Sequence, residues 1–483
     1  MNSCLPSTGA GCTMNIRSVG VLCLCLTATA TKSTQDSRPP VDLAIIRASV
    51  LDVRTGSVLP DRAVLIHRGL ITALNRDDPS TKPRAARVVD ARGRLLTPGF
   101  IDVHLHTALL FGDPTGATHL VMEPDSIEAY RRVFARAYMP YGVTVVRDAG
   151  SSERDMPMLL KWMERSPTAP DFYAVGAHLI SAQPGRSPLP WQVVVADSTA
   201  AAAKVRECYG LGIRNIKLYW RLREPEFKGA LFEAQKLGMN VTGHIDLQVM
   251  TIDRALDLGL RNFEHIYPIA YSLMTPAGFD SVGAEMPRTL GIVPPRFPPT
   301  ALFMNAPELW NYLGPTNPRV LALIAKFKAD DASLTPTLHV FAQRLGLAYF
   351  ESAPRDSTED TSVWTAQQRA RAVEGYRVMA SYVKRMYSAG IRLNIGTDTP
   401  DPGKAVLSEM LLLHDAGIPM ADVFRIATLD SAEDIGHGEE YGSIEVGKRA
   451  DLILFDGNPL ENAHDLLGRK TVVKDGVLWS GVD

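Results

Sequence analysis

The sequence predicts an α/β fold, a (β/α)8 barrel (TIM barrel) joined to a small β-sandwich domain built from both chain ends. Three observations predict it. Between Leu96 and about residue 438, eight strand-like runs alternate, mostly, with helical segments. Such alternation implies parallel strands, and eight units imply a closed barrel. From Val41 to about Val89, and again after residue 439, the pattern is β only. Residues able to hold a metal fall at the ends of the barrel strands, where barrel active sites lie.

The boundaries expected are a leader and tether over residues 1–40, β-domain pieces over 41–95 and 439–483, and the barrel over 96–438. Of the 483 residues, 46% are hydrophobic and 22% charged, as in a soluble globular protein. The net charge of -2 offers no basic excess to meet phosphates, which argues against nucleic acid and membrane-surface partners.

The leader reads as a secretory signal. Met14-Asn15-Ile16-Arg17 precedes the apolar run from Val19 to Leu26, and Thr27-Ala28-Thr29-Ala30 supplies a small-residue cleavage site. The run is too short to span a membrane. Export to a periplasm or to the medium is therefore expected. The alternative is a leader with a chance apolar patch on a cytoplasmic protein, and Met1 and Met14 both remain possible starts. Cys4, Cys12, Cys23 and Cys25 lie in the leader, so cleavage leaves Cys208 alone and excludes a disulfide framework.

From Val41 to Val89 short apolar runs such as Leu43–Ala48 and Ala63–Ile66, separated by turn signals, predict a small antiparallel sheet. The first barrel strand is read over Leu95–Thr107, a buried strand ending in two histidines. Residues i and i+2 of a strand share a side, so His104 and His106 project together, about 7 Å apart. The plain alternative is two histidines in a surface strand.

The later strands are read at 142–146, 172–175 (ending near His178), 215–218, 240–244, 262–265, 333–337 and 392–398. Helices are read near 126–139, 154–164, 198–209, 225–237 and 250–258. Pro268 to Pro318 and Tyr349 to Thr365 read as long connections, with Pro294, Pro295, Phe297 and Pro298 as a possible substrate wall. Gly442-Ser443-Ile444, Ala450–Phe455, Thr471–Val473 and Val477–Trp479 return to β, with a hairpin turn at Lys474-Asp475-Gly476.

The strand ends supply His104, His106, Lys217, His244, His265 and Asp398. Four imidazoles and a carboxylate suit zinc or a similar ion, and six candidate ligands allow two ions. Lys217 is costly to bury unpaired. Either carbamylation turns it into a bridging carboxylate, or it pairs with Glu264 or Asp398. Water on a metal titrates near ~7. Asp398 is thus positioned as general base, later returning the proton to the leaving group; its alternative is a helix cap. Tyr219 is read as a donor to the scissile carbonyl or a packed aromatic, and His178 and His339 as substrate contacts. Arg147 and Asp148 are read as a pair bracing their loop.

His-x-His after Thr97-Pro98-Gly99-Phe100-Ile101-Asp102, the lysine of Asn215-Ile216-Lys217-Leu218-Tyr219, His244, His265 and Gly396-Thr397-Asp398 together resemble the amidohydrolase superfamily. The tail Gly442–Leu452 resembles its return into the β-domain. The resemblance spans roughly residues 41–480 and is nearest the imidazolonepropionase-like branch, with its metal-dependent prolidases. It implies His104, His106 and Asp398 on a first metal, His244 and His265 on a second, and carbamylated Lys217 between two zinc ions. Ring-amine deaminases of the family usually carry a Glu a few residues after the strand-five histidine. Ile245-Asp246-Leu247 here counts against that chemistry.

The expectation is a hydrolase of an amide or peptide bond in a small, dipeptide-like substrate. A metal-bridging hydroxide serves as nucleophile, Asp398, His265 and Tyr219 form the catalytic set, and a homo-oligomer is left open. Cyclic amide, lactone or deaminase chemistry is the alternative on the same site. A non-catalytic interaction protein is a third reading, disfavoured because no ligand is missing.

Overall fold

The parallel strands that carry the site begin where a single expected strand breaks in two. Leu95–Pro98 and Phe100–Leu105 are separate strands on either side of Gly99. A Cβ on Gly99 would sit 2.2 Å from Thr144 Oγ1, so only glycine allows the chain to pass this close to its neighbour. The computed structural model describes residues 41–481 except 79, 81–82, 112–119, 177, 183–186, 189–191, 246–248, 291–300 and 352–359. The leader, Pro294, Pro295, Phe297, Pro298, Asp246 and Leu247 lie outside the described residues.

In chain order, β1 (Val41–Asp52), β2 (Ser57–His67), β3 (Leu70–Arg76), β4 (Ala85–Asp90) and β5 (Leu95–Pro98) open the fold. The strands β6 (Phe100–Leu105), β7 (Val143–Asp148), β8 (Asp171–Tyr173), β9 (His178–Ser181) and β10 (Gln192–Val195) follow. Next come β11 (Asn215–Leu218), β12 (Asn240–Gly243), β13 (Asn262–Glu264), β14 (Ser333–Thr335) and β15 (Arg392–Leu393). The chain closes with β16 (Leu452–Phe455), β17 (Lys470–Lys474) and β18 (Val477–Leu478).

The two chain ends meet in one sheet, ordered β18-β17-β16-β5-β1-β2-β3, with β4 also on β1. Where a sandwich was expected, the eight strands are hydrogen-bonded into one continuous sheet. Nor is the N-terminal part purely antiparallel. β4 and β5 both run parallel to β1, because the connections before them cross over instead of turning back. Leu43, Ile45, Val50, Val64, Ile66, Leu96, Leu452, Leu454 and Val473 pack into its core. Asp475 and Gly476 have φ of 48° and 74°, the left-handed pair that a tight hairpin requires. Gly442-Ser443-Ile444 forms no strand. Gly442 (φ 86°) lies against Leu429, where a Cβ would approach its Cα to 2.7 Å, and the chain bends onto that helical turn.

The strands β6-β7-β8 form one parallel sheet and β10-β9-β11-β12-β13-β14-β15 another. Val103 N donates to Ile395 O (2.8 Å), and Thr397 N and Asp398 N both donate to His104 O (2.9 Å), which ties the end of the chain's parallel series to its beginning. Helices between the strands fall close to expectation, as at Pro124–Tyr138, Ser198–Gly210, Glu224–Lys236 and Ile252–Asp257. The Asp197 side chain caps Ser198–Gly210 by accepting from Ala200 N.

His178 does not end the third strand. Extension stops at Tyr173, Gly176 turns at φ 77°, and His178 opens β9, which pairs with an unforeseen β10. The connection after Pro268 is not loop alone; the described residues there include helices Tyr267–Leu273, Pro276–Leu290 and Ala301–Leu313. Among the described residues, no helix is long and apolar enough to cross a membrane.

Candidate active site

His104 is the penultimate residue of β6, His106 follows it by two residues, Lys217 lies within β11, and His244 and His265 each stand one residue past β12 and β13. The structure brings them together with Asp398. One ligand atom each from His104, His106 and Asp398 lie within 4.8 Å of one another. The His265 ring is 4.6 Å from those of His104 and His244, and His104 is 5.3 Å from His106. Asp398 Oδ1 is 3.6 Å from His106 Nε2 and 4.0 Å from His104 Nε2, while its Oδ2 is 4.0 Å from His265 Nε2. His265, Thr337 and Asp398 hold left-handed backbone, with φ of 65°, 53° and 48°. Non-glycine residues adopt it at a cost of about 1–3 kcal/mol, characteristic of functional sites.

A neighbour occupies one nitrogen of each imidazole. His106 Nδ1 donates to Gly150 O (2.8 Å), His104 Nδ1 bonds Glu264, His265 Nδ1 bonds Thr337 Oγ1 (2.8 Å) and His244 Nε2 bonds Tyr267 Oη (3.0 Å). Each bond orients a ring and reserves its other nitrogen. Burial pushes His104, His244 and His265 toward the neutral form that metals require. It takes His244 down to about 3 and, helped by the charge of His104, holds His265 well below the usual range. Burial also lowers His104 against the pull of Glu264, and lowers Lys217. For Glu264, burial acts upward, but His104 and Lys217 hold the carboxyl well below its ordinary value.

The residues fit a divalent metal. His104 Nε2 and Lys217 Nζ are buried with no hydrogen-bond partner among the described residues, a cost that a ligand would remove. Lys217 Nζ stands 4.0 Å from Glu264 Oε1, beyond hydrogen-bond reach. Neutral nitrogen donors with one carboxylate suit zinc-like ions.

Arg147 and Asp148 do not pair. Successive strand residues point to opposite sides. Arg147 spans Glu264 Oε1 (3.0 Å) and Asp434 Oδ2 (3.1 Å), while Asp148 accepts from Thr107 and Ser151. Glu264, one of the two acids read as alternative partners of Lys217, stands 4.0 Å from it and is also bonded by His104, Arg147 and Thr242. Gly150, Thr337 and Tyr267 went unforeseen, since contacts across strands leave no local pattern.

His178 joins the cluster. Its ring stacks on Tyr219 at 4.3 Å and lies 5.2 Å from His106, with Nε2 donating to Ala149 O (2.9 Å). Tyr219 meets His244 edge-on at 5.5 Å. Gly150 makes this packing possible. At φ 126°, a Cβ there would lie 2.3 Å from His178 Nε2. Gly150→Ala is expected to lower metal affinity about 10-fold, as loss of a ligand-orienting partner does. Zinc titration checks it, and unchanged affinity would contradict it.

His339 lies apart from these rings; it bonds Ser408 Oγ through Nδ1 (2.9 Å), and its backbone N–H donates to Glu409. Burial lowers it to about 4 from 6.5. Between those values the unfolded chain takes up a proton that the folded chain refuses, so acid favours unfolding. Its contribution is intact above about pH 6.5 and lost as pH falls toward 4. His339→Gln is expected to flatten this part of the stability profile, measured by denaturant unfolding at pH 7, 5.5 and 4.

The Amidohydrolase family model matches residues 355–478. The chain is similar to N-substituted formamide deformylase of Arthrobacter pascens, 32% identical over 111 residues, 20% of this chain and 20% of that protein. It is 33% identical over 81 residues to imidazolonepropionase of Geobacillus sp. (strain WCH70), covering 16% of this chain and 19% of that one. The matches thus span about a fifth of these relatives. A solved Xaa-Pro dipeptidase with bound methionine in its active site superposes over 91% of this chain and 100% of its own, with TM-score 0.62 and 20% identity, a likeness of fold. Strand-end histidines, a buried lysine and an aspartate are gathered on this fold, and the family model over residues 355–478 together with the partial likeness to imidazolonepropionase supports the amidohydrolase superfamily.

Proposed function

We propose that this protein is a metal-dependent hydrolase of C–N bonds, acting on an amide or peptide link in a small substrate. The observation that carries this is the convergence of His104, His106, His244, His265, Lys217 and Asp398, with His104 Nε2 and Lys217 Nζ buried and without a hydrogen-bond partner among the described residues. In this reading the barrel closes through the His104–Asp398 backbone bonds, and the β-pieces over 41–95 and 439–483 form one domain. The segment 14–30 is an export signal.

His104, His106 and Asp398 would hold one zinc ion and His244 and His265 a second, with Lys217, carbamylated, between them. When bound, such ions polarise a carbonyl and make water acidic near neutral pH. Asp398 holds the proton taken from water and delivers it to the leaving nitrogen. Its two oxygens, 3.6 Å from His106 and 4.0 Å from His265, reach both halves of the site, and His265 sets its position. Tyr219, packed between His178 and His244, donates to the carbonyl oxygen as charge develops. His178 lines the same wall.

A panel of dipeptides and N-acyl amino acids, tested on stripped and zinc-restored protein, decides the matter. Cleavage that returns with zinc supports the reading. The imidazolonepropionase likeness favours cyclic amides as the second class to test, with deaminase and lactone substrates beside them. Turnover of those alone would replace the proposal, and turnover of none would return the chain to an interaction role.

A further inference from the structure

Four residues past Lys217, in the turn after β11, Arg221 is held in an unusual way. Its guanidinium lies over the Trp220 ring, 4.3 Å from the centroid, which fixes its plane. Its Nη1 donates to Gln192 Oε1 at 3.5 Å. Its Nε is buried and has no hydrogen-bond partner among the described residues. No carboxylate among the described residues pairs with it. The placement is specific. Gln192 stands in register with His178 on neighbouring parallel strands, so both side chains project to one side. His178 stacks on Tyr219, and Trp220 meets Tyr219 at 5.9 Å. The cation is therefore one side chain removed from the ring cluster, in a loop at the strand ends where barrel substrates bind.

A guanidinium offers a carboxylate paired N–H donors, and its Nε edge is one of the faces that accept one side-on. We propose that Arg221 is the specificity-determining residue of the site and binds a free carboxylate carried by the substrate next to the scissile C–N bond. The substrate class is then N-acyl amino acids and dipeptides with a free C-terminus, not their amides. This rests on the C–N hydrolase reading but is tested separately from it.

The probes are N-methanesulfonyl-L-leucine, whose sulfonamide resists hydrolysis, and its C-terminal amide. Each is titrated calorimetrically into the zinc-loaded full chain, wild type, Arg221→Met and Arg221→Lys. Wild type is expected to bind the acid at least 10-fold tighter than the amide. Arg221→Met should lose about 10- to 100-fold for the acid, the scale of a hydrogen bond to a charged group, with amide binding unchanged. Arg221→Lys should recover part, since a point charge lacks the fork. No acid preference in wild type, or equal losses for both probes, would overturn the inference. Cleavage of N-acetyl-L-leucine is followed in parallel. Acid preference without cleavage would leave the carboxylate site standing and remove the hydrolase reading.

Discussion

Lys217→Ala is expected to bind about one metal ion per chain where the wild type, grown with zinc and bicarbonate, binds about two. Lys217 is fully buried among the four histidines, and its Nζ has no hydrogen-bond partner among the described residues. Its nearest acid, Glu264 Oε1, lies at 4.0 Å and is already engaged by Arg147 and Thr242. An amine so placed, with burial acting against its charge, is suited to carry a carbamate. Loss of a partner that merely orients a ligand lowers affinity or activity about 10- to 100-fold, so loss of the bridge itself should exceed ~100-fold in amide hydrolysis. Elemental analysis reads the stoichiometry, and thermal unfolding confirms the fold. Near one ion in both proteins would sink the bridged site and leave a mononuclear centre with Asp398 as base.

Arg147→Met is expected to destabilise the chain by about 3–5 kcal/mol, the scale on which removing one partner leaves a buried charge uncompensated. Arg147 is 1% exposed and joins two carboxylates that are themselves buried. Its Nε also donates to Val103 O at 2.9 Å, beside His104. Asp434, at the far end, accepts from Asn262 and Ser333, which open β13 and β14, and from Asn394, which follows β15. Removing the cation therefore disturbs both the Asp434 contacts to these three strands and the Glu264 carboxylate that orients His104. Zinc affinity should fall together with stability. Denaturant unfolding and zinc titration check the two effects, and a loss under about 1 kcal/mol would show that Asp434 and Glu264 are compensated otherwise.

These two residues show how differently the site was encoded. His104 and His106 were legible because a strand has a period of two. Lys217, His244, His265 and Asp398 were legible because each follows a short β-run, and parallel strands carry their ends to one place. The sheet from both chain ends was legible for a similar reason, since β patterning stood outside the strand–helix alternation. The break at Gly99 was not, because its cause is Thr144, and neither were the parallel pairings of β4 and β5.

Arg147 stands next to Asp148 in the sequence, which suggests a pair. Its true partners lie 117 and 287 residues away. His339 follows β14 as the sequence places it, but that its Nδ1 bonds Ser408 Oγ has no local pattern to announce it. Local periodicity tells which residues share a side of an element, and strand order tells which ends converge. Which buried charge answers which, and which ring nitrogen is left for a ligand, depends on side chains meeting across strands. The cost of burying an unpaired polar group is settled there, by neighbours that only the folded chain supplies.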